Sequence, residues 1–194
     1  CHDITQIIKG VTKDAVFRKG HVITEEDIPV LLSVGKDNVY IWEKGETRLH
    51  ENEAAEILRE MCQGEYMHPT PVKEGKIELV ADIDGLLKVD SDKMKKINGM
   101  GELMIASRHG NFAVKKGDKL AGTRIIPLVI EREKMEQAKA VCEGEPILEL
   151  KPFVHKKVGI VTTGNEVYYH RIEDTFTPVI KEKLAEYDTE VIGQ

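Results

Sequence analysis

Val158-Gly159-Ile160-Val161-Thr162-Thr163-Gly164-Asn165-Glu166-Val167-Tyr168-Tyr169-His170-Arg171-Ile172-Glu173-Asp174 is the stretch on which the reading of this chain turns. An apolar, β-branched run ends abruptly in Thr-Thr-Gly-Asn-Glu. A short apolar run closed by turn residues marks a buried strand. Gly164 and Asn165 both tolerate φ > 0, so a sharp bend is expected there. The bend would present the Thr162 and Thr163 hydroxyls, bare backbone amides and the Glu166 carboxylate at the strand's carboxyl end. In open α/β sheets that is where ligands bind.

Working outward, residues 174–187 read as a helix. Phe176, Val179, Ile180, Leu184 and Tyr187 recur at helical spacing. Asp174, Thr175 and Thr177 are candidate caps, and Pro178 suits a first turn. Thr189-Glu190-Val191-Ile192-Gly193 then reads as a second strand. Strand, bend, helix, strand is a βαβ unit, whose crossover is expected to be right-handed. One such unit is too little for a doubly wound layer, and no Met precedes Cys1. The chain is therefore expected to be part of a longer protein.

Residues 158–174 resemble the opening motif of the molybdopterin-binding domain of molybdenum-cofactor biosynthesis. That motif runs from a hydrophobic strand into Thr-Gly-(Asp/Asn)-Glu-(Leu/Val), a short loop, and Ile-x-Asp entering a helix. Here Thr163-Gly164-Asn165-Glu166-Val167 and Ile172-Glu173-Asp174 stand in those places. Cys1-His2-Asp3-Ile4-Thr5, Phe17-Arg18-Lys19-Gly20-His21-Val22-Ile23 and Asp27-Ile28-Pro29 through Gly35 resemble the front of bacterial relatives of the molybdopterin molybdenumtransferases. The chain departs from the pattern at His170 and Asp188, where the family commonly carries Gly. The family's second signature, a Gly-rich turn followed by Asp residues, is absent from these residues.

The resemblance implies an α/β fold: a mixed α+β front domain over residues 1–150, then the start of a three-layer α/β/α molybdopterin-binding domain over 151–194. A further break is expected near 64–75. It implies a chain that binds molybdopterin in cofactor assembly, with metal insertion as its transferase form. The implied contacts are Thr162, Thr163, Gly164, Asn165, Arg171 and Asp174, with Glu166 as the catalytic carboxylate near metal and pterin. Magnesium would suit Glu166. A homodimer and a molybdoenzyme or cofactor-pathway partner are implied as well. Two alternatives stay open. One is a non-catalytic cofactor-binding or sensor module; the other is a nucleotide pyrophosphatase of the competence-damage-inducible type, whose front arrangement differs.

Each candidate also has a plainer reading. The Thr162–Glu166 turn is also what any strand-to-helix connection looks like. Asp174 is either a helix cap or a ligand contact, Arg171 a solvated charge or a phosphate clamp. The seven histidines are dispersed with no i, i+4 pair, so a helix-borne zinc site is not indicated. The three cysteines form no Cys-x-x-Cys, and reduced, buried thiols in a cytoplasmic protein are expected. With 28 basic against 34 acidic residues the net charge is −6, which argues against nucleic acid as a partner. A local anion site is still compatible with that charge. No apolar run is long enough to span a bilayer.

The front of the chain gives organisation without chemistry. A strand is expected over 4–8, another over 21–23, and a helix from Thr24 with Asp27 completing a capping box and Ile28, Leu31 and Leu32 facing inward. Gly35 should end it, and 38–42 should be a strand. Asn52 is expected to cap a helix carrying Ala55, Leu58 and Cys62. Residues 77–81 and 86–89 read as a hairpin around Asp84-Gly85. Ser91 opens a short helix, and 103–106 and 112–114 are strands around a turn at 108–111. A strand over 122–130 interrupted by Pro127, a helix over 132–142 and a strand over 147–150 complete the front part.

Overall fold

The computed structural model describes residues 3–8, 10–18, 20–39 and 45–194 and shows a mixed α/β chain. It divides into two compact units, Cys1–Gly45 and Glu46–Gln194. The expected junction at 150/151 falls inside the second unit, within a strand.

In the first unit, β1 (Ile4–Ile8) pairs antiparallel with β2 (Thr12–Phe17). A 3-10 turn (Glu25–Asp27) leads into α1 (Ile28–Ser33). The capping box forms: the Thr24 amide donates to Asp27 Oδ2 at 2.9 Å. Gly35, at φ +73°, closes the helix, and the Lys36 amide returns to the Leu31 carbonyl at 2.9 Å. Two expectations are corrected. Residues 21–23 are not a strand, and of Ile28, Leu31 and Leu32 only Leu31 is buried, joining Ile4 and Phe17. The expected strand at 38–42 lies largely outside the described residues.

The second unit begins with β3 (Arg48–His50) and α2 (Glu51–Cys62). Its cap is His50, not Asn52: the imidazole accepts from the Asn52 amide at 3.2 Å, and the His50 amide donates to Glu53 at 3.0 Å. Asn52 instead accepts from the Gly75 amide at 3.0 Å. Ala54, Ala55, Leu58, Met61 and Cys62 form the buried stripe that helical periodicity calls for. Then come β4 (Met67–Pro69), β5 (Lys76–Ala81), β6 (Gly85–Val89), α3 (Ser91–Asn98), β7 (Leu103–Ser107), β8 (Phe112–Val114), β9 (Lys119–Ile125), β10 (Val129–Glu131), α4 (Arg132–Val141) and β11 (Leu148–Pro152).

These strands form a sheet in the order β4-β5-β9-β7, a second in the order β11-β6-β8, and the pair β10-β3. The expected hairpin of residues 77–81 with 86–89 does not form. β5 pairs with β4 and β9, and β6 with β8 and β11. Nor do β7 and β8 pair across 108–111. Alternate residues of β5 (Ile77, Leu79, Ala81) point inward, and α2 packs on β5 and β9. Leu58, Leu79, Leu87, Ile97, Leu120, Ile125, Met135 and Leu148 make up one contiguous core. Each such side chain contributes about 1.5–3 kcal/mol by leaving water. No residue after Leu150 belongs to that core.

The remainder is β12 (Lys156–Gly159), α5 (Asn165–Tyr168), α6 (Phe176–Ala185) and β13 (Thr189–Gly193). β12 and β13 pair in parallel, so strand, bend, helix and strand form the βαβ unit read from the sequence. Among the described residues, no helix is long and apolar enough to cross a membrane.

Candidate functional site

The bend lies between β12 and α5. Val158 pairs with Val191, and the Ile160 amide still reaches the Gly193 carbonyl at 3.0 Å. The ladder then ends, and Gly164 takes φ +135°, ψ 123°, a backbone state that a side chain would strain. One short helical turn follows: the Tyr168 amide donates to the Gly164 carbonyl at 2.9 Å. The Thr163, Gly164, Asn165 and Glu166 amides have no backbone acceptor among the described residues, as expected of groups that open a helix. Thr163, Asn165 and Glu166 are exposed, and Thr162 is half-buried. The Glu166 carboxylate folds back over Gly164, its Oε1 only 2.7 Å from where a Cβ would stand.

The loop from the bend to α6 closes on the backbone of Glu166. Its carbonyl accepts from the Arg171 amide at 2.8 Å and the Ile172 amide at 3.2 Å. His170 sits at φ +55°, a left-handed conformation that Gly adopts most easily. The exposed Arg171 guanidinium lies over the Tyr169 ring, 5.4 Å from its centre.

Asp174 is the hub of the site. Its Oδ1 accepts from the Phe176 amide at 3.0 Å and the Thr177 amide at 3.1 Å, which makes it the cap of α6. Its Oδ2 faces the Thr177 hydroxyl, the Thr162 hydroxyl at 3.1 Å and the Gln194 side-chain amide at 2.7 Å. These donors hold the carboxyl well below its usual range, at about 2; the Thr177 hydroxyl is the largest cause, followed by the Thr177 amide, against the opposing effect of burial. Of the two sequence readings of Asp174, the cap is what the geometry displays. A ligand would have to share this carboxylate with its internal donors.

An open cleft of about 450 Å³ lies beside this network, lined in part by His170, Arg171, Asp174 and Gln194. Thr162, Thr163, Gly164, Asn165 and Glu166 do not line it. The structure thus joins Thr162 to Asp174 by a hydrogen bond and sets Arg171 and Asp174 on the wall of the same cleft. Glu166 and the bend amides form a separate, exposed cluster. A smaller pocket of about 210 Å³, at Glu60, Lys139, Cys142 and Glu145, holds none of the motif residues. Among the described residues no group of three or more His, Cys, Asp or Glu side chains could hold a metal ion. Cys62 and Cys142 are free and buried, and burial pushes the Cys62 thiol up to about 12.

Two participants escaped the sequence reading. Thr177 was considered only as a cap, and Gln194 not at all. The spacing of Thr177, three residues after Asp174, is the available signal, since that register brings a side chain back to the cap. Gln194 has no such local signal, because it arrives through the parallel pairing of β13 with β12.

A family model described as a domain of unknown function (DUF8806) matches residues 1–43. Residues 158–174 lie outside that match, whereas the front stretches 1–5, 17–23 and 27–35 lie within it. No curated protein and no solved structure matches the chain.

Proposed function

We propose that this chain binds molybdopterin and serves molybdenum-cofactor assembly, with insertion of the metal as the catalytic form of that role. The observation that carries the reading is the parallel βαβ unit with Thr163-Gly164-Asn165-Glu166 at the carboxyl end of its first strand. That is the position where open α/β sheets hold anionic ligands. The corresponding fold proposal is that residues 151–194 open a three-layer α/β/α molybdopterin-binding domain.

In this reading the chain contributes positioning and electrostatics rather than covalent chemistry. The unpaired amides at Thr163 and Gly164 receive a phosphate or pterin oxygen, and the Thr163 hydroxyl and Asn165 supply further polar contacts. Arg171 meets negative charge from the cleft side. Glu166 is the one carboxylate placed at the bend, and it faces the metal or the reacting end of the ligand. Among the described residues the protein alone does not form a cation cage. Magnesium would be held by Glu166 together with ligand phosphate and water, a pattern that ion accepts, and would screen the phosphate's charge. A homodimer, a molybdoenzyme or cofactor-pathway partner and a cytoplasmic setting complete the proposal. The free, buried thiols of Cys62 and Cys142 suit a reducing compartment.

The test is calorimetric titration of the protein with molybdopterin, followed by molybdate-dependent cofactor formation. Wild type is expected to bind and convert, and Glu166→Ala to bind but not convert. Binding by wild type without conversion moves the proposal to a non-catalytic carrier. Hydrolysis of ADP-ribose in place of pterin binding moves it to a nucleotide pyrophosphatase. Conversion unchanged in Glu166→Ala removes the catalytic role from that residue.

A further inference from the structure

Thr177 is one of the few polar residues sealed from solvent among the described residues, at 3% exposure. It lies on the first turn of α6, and its hydroxyl touches both the Asp174 carboxylate and the Thr162 hydroxyl. Counting protons shows what this contact does. Three donors crowd Asp174 Oδ2: Thr177, Thr162 and the Gln194 amide. A carboxylate oxygen has about two lone-pair directions, so it does not accept all three well at once. Gln194 at 2.7 Å and Thr177 are the two shortest. Thr162 accepts the second Gln194 N–H at 3.2 Å, so its own proton is shared between Oδ2 at 3.1 Å, already taken by two closer donors, and the less crowded Thr177 oxygen at 3.2 Å. The outcome is a directed chain, Thr162 O–H to Thr177 O–H to Asp174.

We infer that Thr177 is the positioning residue of the site: its buried hydroxyl relays Thr162 to Asp174 and so fixes the strand-end bend against the start of α6. Thr162 stands two residues before Gly164, and Asp174 caps the helix that packs beside β13. Losing the relay frees the bend on one side and the carboxylate on the other. The role in ligand binding rests on the molybdopterin reading above; the relay itself does not. Thr177 touches no ligand in this scheme and acts only through Thr162 and Asp174. Its oxygen is the part that matters, since the methyl group adds only local packing.

The experiment uses the full chain, isotopically labelled, as wild type, Thr177→Val and Thr177→Ser, with Thr162→Val as a further variant. Valine matches threonine in shape and puts a methyl group in place of the hydroxyl; serine keeps the hydroxyl and removes the methyl. The Asp174 carboxyl carbon is followed by NMR as pH falls, and molybdopterin binding is titrated in parallel. Wild type should titrate near 2. Thr177→Val should move that midpoint up toward the ordinary carboxylate range and shift the Gly164 and Asn165 amide signals. It should weaken molybdopterin binding about 10-fold or more, the scale of one lost charge-assisted hydrogen bond. Thr177→Ser should restore all three readouts, and Thr162→Val should move the carboxyl midpoint less than Thr177→Val.

A wild-type-like Asp174 midpoint in Thr177→Val overturns the relay whatever ligand binds. So does failure of serine to rescue, or a larger shift in Thr162→Val than in Thr177→Val. Wild type that binds no molybdopterin, with the NMR results as expected, overturns the functional reading and leaves the positioning role standing.

Discussion

Replacing Gly164 by alanine tests the bend on which the site is built. At φ +135°, ψ 123° the backbone is in a region that L-residues with a Cβ seldom enter. Holding a side-chain residue in such a region costs about 1–3 kcal/mol. The steric part is separate and small. The nearest atoms to the new Cβ are Glu166 Oε1 at 2.7 Å and Cδ at 3.1 Å, both at the far end of a flexible side chain. Glu166 can therefore swing away, but its carboxylate then leaves the bend. Stability and function should fall for different reasons in the same variant.

A control removes the main confounding term. Gly→Ala also narrows the unfolded ensemble, returning about 0.4–1 kcal/mol wherever the native backbone tolerates it. Gly159, on β12 in the same unit, has no atom within 4 Å of its virtual Cβ and no positive φ. Gly159→Ala should thus be neutral or stabilising. Subtracting its effect from that of Gly164→Ala cancels the unfolded-state contribution and leaves the backbone strain, about 1–3 kcal/mol. Urea unfolding of both variants measures the difference, and amide hydrogen exchange over residues 162–168 localises it. Two alanine variants that agree within about 0.5 kcal/mol, against a strain scale of about 1–3, would falsify the claim that the bend depends on glycine.

Leu58→Ala, at a fully buried position of α2 facing β5 and β9, should cost about 2.7–5 kcal/mol by urea unfolding; a loss under about 1 kcal/mol would mean that Leu58 is not in a packed interior. His155 contacts Asp188 at 3.0 Å and Glu190 at 3.8 Å, with Lys157 also bonded to Glu190 at 3.4 Å. The Asp188 hydrogen bond is the main cause that raises the His155 pKa above 6.5, so its stabilisation is fully present below pH 6.5 and lost as pH rises through the folded-state value. The gap in melting temperature between wild type and His155→Gln should therefore be widest below pH 6.5 and shrink as pH rises above it, and a gap that does not vary with pH rejects the coupling.

What could be read in the sequence was what is decided locally. The run from Val158 to the bend, the apolar spacing after Asp174 and the second run from Thr189 each carry their signal within a few residues, and all three elements form. The first strand, however, is Lys156–Gly159 and is not the buried strand expected: Val161 is exposed, as are Phe176, Val179 and Ile180 of the helix. His170 is instructive in the same way: it takes φ +55° although it is not a glycine. Strand partnership was not legible, because it is chosen by surfaces distant in sequence. Gly85 looks like the second residue of a tight hairpin turn. It is instead the first residue of β6, and a Cβ there would stand 2.5 Å from the Lys151 carbonyl oxygen. Its lack of a side chain serves the close approach of β11, not a turn. The same holds for His50. Histidine is not among the preferred helix caps, and it becomes one because β3 delivers its imidazole ring to the Asn52 amide of α2.

The two parts of the second unit are consequently held by different forces, and substitutions should be felt differently in each. From β3 to β11 the elements share one apolar core, so the energetic weight lies in volume and burial. In the βαβ unit, Phe176, Val179 and Ile180 remain exposed, while Thr177 is buried among hydrogen-bonding partners. Its order therefore depends on directed contacts: the β12–β13 ladder, the Asp174 cap and the Thr162–Thr177 chain. Directed contacts fail abruptly when one atom is removed, whereas an apolar core loses stability in proportion to the volume taken away. A binding site gains from the first kind of support, because the polar groups that fix the bend also set where its amides and the Glu166 carboxylate point. The same dependence explains why a one-oxygen change at Thr177 is expected to matter more at this site than the loss of an exposed aromatic ring such as Phe176.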